Sequence, residues 1–335
     1  MKLTELKDQV ALNNSHRVVL TLGKIEINDD GTRLSWGNHA GTKEIILDDH
    51  GTALLARYLK VPNTYLKNLP TAERVRTLRY HRDRFSEADT VLQIVNDELV
   101  AIYSTEAMML PLSRVLDEIE ELPLPEAAVH EVIRETNLFQ VDVTSPYLSI
   151  EVPNPLQVKG RPEPDIVYGG VRIVTYPFKN KAPSVVTYMH RVHTGSGMST
   201  SLKAGEISFK GRTIEEVLLA LRNNASAVIE GADEKLRLLA ESGGIEVPGT
   251  PLAFATQLAR EEGLKVGVRD VVTMLVTQLP PVASVFDVNE AFLQAAQRGV
   301  NYQTRLKLEQ FGARLAIQAK RAVERCNTCE QLLVA

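Results

Sequence analysis

Short runs of alternating apolar and polar residues occupy the first two thirds of the chain, and helical spacing takes over in the last third. Arg17 to Leu22, Lys24 to Ile27 and Thr32 to Trp36 have the residue types of strands, with Asn28-Asp29-Asp30-Gly31 as a turn between the last two. Asp48 or Asp49 is placed to cap a helix through Leu59, and Pro62 opens a second one that ends before Pro70. Val91 to Val95 and Glu98 to Tyr103 flank Asn96-Asp97, which predicts a tight hairpin. Pro111 to Leu122 reads as an acidic amphipathic helix.

The middle is rich in Val, Ile, Thr and Tyr. Leu138 to Val143, Tyr147 to Val152, Ile166 to Tyr176 and Ser184 to Val192 predict strands of an antiparallel sheet, because no helices alternate with them to make parallel crossovers. Thr213-Ile214-Glu215-Glu216 then opens a helix, and further helices are predicted over 251–262, 268–279, 284–298 and 302–333. The expected fold class is α+β: a central antiparallel sheet flanked by helices, with an all-helical C-terminal third. The expected organisation is an N-terminal α+β region (1–125), a strand-rich basic region (126–212) and a helical region (213–335), the last two forming one domain.

Composition narrows the function. With 335 residues, 44% of them apolar, the chain can bury one large core or two smaller ones. Two cysteines exclude a disulfide scaffold and fit a reducing compartment. No window approaches the roughly 20 apolar residues of a membrane span. The polar opening from Met1 to Gln9 has no signal-peptide pattern, so a soluble intracellular protein is expected.

Chemical motifs are sparse. There is no Walker-type phosphate loop, and Gly169-Gly170 and Gly195-Ser196-Gly197 lie between strands rather than before a helix. Cys326 and Cys329 can supply two metal ligands, but no histidine pair has the spacing to complete a zinc site except between subunits. His190 and His193, three apart on a strand, point to opposite faces. No catalytic residue, cofactor or metal is marked. Leu54 to Leu69 has the apolar positions of a helix-turn-helix, with Lys60 where a glycine usually stands. A plain packing unit of two short helices is the alternative.

Charge is more informative. The net charge of −4 conceals opposed blocks. Arg74 to Arg84 holds five arginines and one acid; Lys159 to Arg212 holds nine basic residues and three acids; Glu106 to Glu135 holds eight acids and two arginines. Basic strands with interleaved aromatics suit a groove that tracks a nucleic-acid backbone. The expected phosphate contacts are Lys159, Arg161, Lys179, Lys181, Arg191, Lys203, Lys210 and Arg212, with Tyr188 as a base-stacking residue. The alternative is a solvated sheet face whose aromatics point into the core.

The order of ALLARYLKVPNTYLKNLP, VLQIVNDELVAIYS, YGGVRIVTYPFKNKAPSVVTYMHRVHTGSGM and SVFDVNEAFLQAAQRGVNYQTRLKLEQFGARLA resembles the phage/plasmid-like protein family, a domain of unknown function found in bacteriophages, plasmids and bacteria. The resemblance covers roughly 50–320. At the turn after the long strands, His193-Thr194-Gly195-Ser196-Gly197 stands in place of a Cys-Thr-Asn-Gly type sequence, so that turn carries no role across. The family has no catalytic residues to transfer. The resemblance implies work on DNA in a bacterial host cytoplasm. The resulting expectation is a non-catalytic DNA-binding protein, acting on single strands in annealing, recombination or replication as a homo-oligomer. The rival is a protein-interaction or self-assembling structural protein, with an enzyme of dispersed site third.

Overall fold

Asn96 and Asp97 both adopt left-handed backbone (φ 52° and 62°), the conformation a two-residue hairpin loop needs, and they fold β5 (Asp89–Val95) back onto β6 (Glu98–Ser104). That hairpin is the centre of the first sheet in the computed structural model, which describes the chain except residues 12–14, 39–40, 107–109, 136–137, 153–163, 177–180, 193–198, 299 and 335. The sheet has six strands in the order β1-β5-β6-β4-β3-β2, with β1 at Ser15–Thr21, β2 at Glu26–Ile27, β3 at Arg33–Asn38 and β4 at Gly41–Ile46. Three helices, α2 (Asp49–Tyr58), α3 (Asn63–Lys67) and α4 (Thr71–Arg84), share one core with it. Leu34, Leu55, Leu59, Leu66, Leu78 and Leu92 lie at its centre. β4 carries no strand signal in its residue pattern, because five of its six residues are exposed. α4 is arginine-rich and buries only Val75 and Leu78.

The second sheet is an antiparallel meander, β11-β10-β9-β8-β7, as the sequence predicts. Its strands are β7 (Ala128–Glu135), β8 (Leu138–Val152), β9 (Asp165–Thr175), β10 (Ser184–Val192) and β11 (Ser199–Ser208). The two strands expected over 138–152 are one, with a register shift between Thr144 and Ser149. β11 has weak apolar alternation and is held by its pairing with β10.

Gly170 creases this sheet. It pairs with Thr144 on one side and Tyr188 on the other, and a Cβ there would lie 2.0 Å from the Val143 carbonyl oxygen. With no side chain at this point, residues from β7 and β10, three strands apart in order, meet: the His130 and His190 rings stack at 3.9 Å.

α1 (Leu3–Ala11) and α5 (Leu112–Glu120) fall in the region expected to be N-terminal, yet Leu3, Leu6, Leu116 and Ile119 share a core with Phe139, Val141 and Val171 of the second sheet. The first unit therefore spans about β1 to β6 only. α6 (Ile214–Glu230) packs in the same core, and α7 (Ala232–Glu241) joins Val167 and Met189 in the next. α8 (Pro251–Glu261), α9 (Val266–Val276), α10 (Val285–Ala296), α11 (Tyr302–Ile317) and α12 (Ala319–Val334) form the helical third. The single long helix expected over 302–333 breaks at Gln318, whose backbone leaves the helical region (φ −111°, ψ 29°). No described helix is long and apolar enough to cross a membrane.

Candidate nucleic-acid interface

The strand region does not present its cations as expected. Arg191 is buried: its Nε and Nη2 donate to Asp165 Oδ2 at 2.9 and 2.6 Å, and its Nη1 donates to Glu290 Oε2 at 2.7 Å. Phe286 covers the guanidinium at 4.8 Å. Tyr188 is 1% exposed, with its hydroxyl 3.3 Å from His190 Nδ1 and its ring 5.1 Å from the Arg172 guanidinium. It cannot stack on a base without unfolding the sheet. Lys203 is also buried, its ammonium 3.1 Å from Glu206. These three residues are interior groups: Arg191 and Lys203 reach carboxylates, and Tyr188 lies between His190 and Arg172. Lys159, Arg161 and Lys179 lie outside the described residues.

Lys181, Lys210 and Arg212 are exposed. The Phe209 N–H donates to the Pro183 carbonyl, which brings Lys181 and Lys210 to the same end of the sheet. Lys181 sits 4.0 Å over the Tyr176 ring and donates to its hydroxyl at 2.6 Å. Carboxylates crowd this end, however. Glu206 is held below the usual carboxylate range: burial opposes ionisation, but a Ser184 hydrogen bond and Lys203 and Lys181 outweigh it. Glu216 accepts from the Arg212 backbone N–H.

The buried arginines instead hold the helical third to the sheet. Arg172 donates from Nε and Nη2 to both oxygens of Asp142, at 2.7 and 2.6 Å, and from Nη1 to Glu309 of α11 at 2.8 Å. Arg305 continues the chain, bonding Glu309 at 2.9 Å and forking onto Glu131 at 2.8 and 2.6 Å. Burial pushes the Asp142 carboxyl up to about 6 in spite of the Arg172 guanidinium beside it. A carboxyl raised in the folded state contributes stability below its unfolded value near 3.8, and that contribution is lost as pH rises through about 6. Carbon-13 NMR of the Asp142 carboxyl is therefore expected to show a midpoint near 6, and a midpoint at or below 4 would contradict this burial.

A less compensated cationic surface lies on the first unit. From Asp49 to Arg84 there are eight basic and three acidic side chains. The Asp48 carboxylate caps α2 by accepting from the Gly51 N–H at 2.6 Å. α2 ends at Leu59, and Lys60 then takes the left-handed conformation (φ 59°) that a glycine adopts in a helix-turn-helix. α3 has only five residues, too few for a recognition helix reading base edges.

α4 divides its arginines by role. Arg79 donates from Nε and Nη2 to the Ile27 carbonyl and from Nη2 to Asp29; Arg82 donates to the Ile25 carbonyl and to Asp83. Both pin the helix to the sheet. Arg76, Tyr80 and Arg84 are four apart and so share the outer face, and all three are exposed, Tyr80 at 61%. Arg76 and Arg84 form no ion pair with any described residue. Glu73 and Asp83 are the acids on α4, and Asp83 is engaged by Arg82. Arg57 of α2, Lys60 in the turn after it and Lys67 of α3 are exposed, with Tyr65 at 53% exposure, and the Lys60 ammonium lies 5.7 Å over the ring of Phe85 at the end of α4. The arginine cluster was visible in the sequence; which arginines face outward was not.

Four of the eight acids in the acidic block pair with cations of the chain, Glu131 with Arg305 among them. Lys7 of α1 bonds Asp117 and Glu120 of α5, each at 2.7 Å, and Arg222 of α6 meets Glu118 at 2.7 Å. The Cys326 thiol is buried 3.2 Å from Gln257 Oε1; the Cys329 side chain and His193 are outside the described set. No protein-family model, no curated protein and no solved structure matches the chain.

Proposed function

We propose that the chain is a non-catalytic DNA-binding protein that holds single strands on the outer face of α2–α4, in the phage or plasmid setting its resemblance implies. The carrying observation is the Arg76–Tyr80–Arg84 face: two guanidinium groups without an ion pair among the described residues, bracketing an exposed ring. Guanidinium groups contact phosphate oxygens in a bidentate manner, and an exposed tyrosine stacks on bases of any identity. Arg57, Lys60 and Lys67 extend the positive surface.

The contacts are electrostatic, so recognition is indifferent to sequence and steeply dependent on salt. Five phosphate contacts on a single strand predict a slope of about −3.5 in log K against log salt, or about a hundredfold loss between about 50 and 200 mM. Fluorescence anisotropy of a labelled oligonucleotide measures this. A flat salt response, or no binding at the lower concentration, would remove the proposal. The five residues of α3 are too few for the second helix of a helix-turn-helix to fill a duplex groove, which favours backbone contact over reading of duplex sequence.

A further inference from the structure

The helical third encloses a cleft remote in sequence from the surface just described. α8, α11 and α12 bound a cavity of about 260 Å³. Its floor is apolar, made by Phe254, Leu258, Phe311 and Leu315. The rim is charged. Arg314 pairs with Glu262, and Arg325 lies 3.9 Å from Glu261, so each carboxylate already has a cation. Arg321 also lines the cleft, is exposed, and forms no ion pair with any described residue.

One guanidinium is therefore left over beside an apolar floor. That combination matches a monoanion with a hydrocarbon body: the anion meets Arg321 through charge-assisted hydrogen bonds, and the body leaves water against the two phenylalanines. The volume lies below the roughly 300–1,000 Å³ of sites for drug-sized molecules, which limits the ligand to a single short chain. Among the described residues that line the cleft, a cation of the same shape meets no unengaged carboxylate. We propose that this cleft is a binding site for a short-chain amphipathic carboxylate, with Arg321 as the residue that selects its charge. The site does not depend on the DNA-binding reading.

Equilibrium dialysis of the full chain with radiolabelled octanoate tests it, with octylammonium as the oppositely charged probe of equal length. The expected result is saturable binding of one octanoate per chain, and octylammonium weaker by about tenfold or more. Arg321→Glu, an exposed change, is expected to weaken octanoate by at least about tenfold while leaving the circular dichroism and melting curve unchanged. Ala322→Phe, which fills the cleft, is expected to abolish binding of both probes. The proposal is overturned by an absence of saturable octanoate binding, by equal affinity for octylammonium, or by octanoate binding that Arg321→Glu leaves intact.

Discussion

Arg172→Leu is expected to destabilise the fold by about 3–5 kcal/mol, because it leaves Asp142 and one arm of Glu309 without their cation in a buried setting. Asp142 is 0% exposed and, among the described residues, forms an ion pair with Arg172 alone, whereas Glu309 keeps Arg305. Desolvation of the unpaired Asp142 carboxylate therefore dominates the loss. Replacing both members, Arg172→Leu with Asp142→Leu, removes the stranded charge and is expected to recover much of the stability, since well-packed apolar substitutes for a buried pair are often neutral or better. Urea denaturation of the single and double variants measures the difference. A single variant within about 1 kcal/mol of wild type would mean that this network is solvated rather than buried. Arg191, pinned between Asp165 and Glu290, predicts a parallel loss through the second clamp.

Gly170→Ala is expected to be the most damaging Gly→Ala change among the glycines whose surroundings are described. The added Cβ would stand 2.0 Å from the Val143 carbonyl oxygen and 2.6 Å from the Thr144 Cα, both backbone atoms that no rotamer change can move aside. Relief requires the β8 and β9 backbones to part at the crease, breaking the ladder between Thr144 and Gly170 and the approach of His130 to His190. A loss above about 4 kcal/mol belongs to this class of overpacking, and the variant should fail to accumulate as folded protein. Gly169→Ala provides the contrast. There the three atoms nearest the added Cβ are side-chain carbons of Leu148 and Leu236, at 2.9 to 3.0 Å, which can shift. A Gly170→Ala protein that melts within a few degrees of wild type would refute the crease.

Much of the architecture was legible in the pattern of residues. Val91 to Tyr103 declared a hairpin because its turn residues and flanking strands agreed, and Thr213, Thr250 and Ser284 each cap a helix where spacing places one. Elements that depend on tertiary contact escaped. β4 and β11 are strands because a neighbouring strand offers hydrogen bonds, and α4 is a helix whose apolar stripe is only two residues wide. The candidate site was harder still. Charge counting located the basic segments but carries no information on facing. Along β10 Arg191 reads as a surface cation, and Arg172 of β9 counts toward the same basic block; their carboxylate partners, among them Glu290 and Glu309 on helices 99 and 137 residues further along the chain, show why both point inward. On α4 a helical wheel separates Arg76 and Arg84 from Arg79 and Arg82, so that distinction was available once the segment was known to be a helix.

Charge reversal separates the two exposed basic surfaces most directly. Anisotropy with a single-stranded oligonucleotide at about 50 mM salt should show that Arg76→Glu with Arg84→Glu weakens binding by at least about tenfold, while Lys181→Glu, Lys210→Glu and Arg212→Glu together change it by less than about threefold. The reverse order, or equal affinities in both variants and wild type, would contradict an interface on α2–α4.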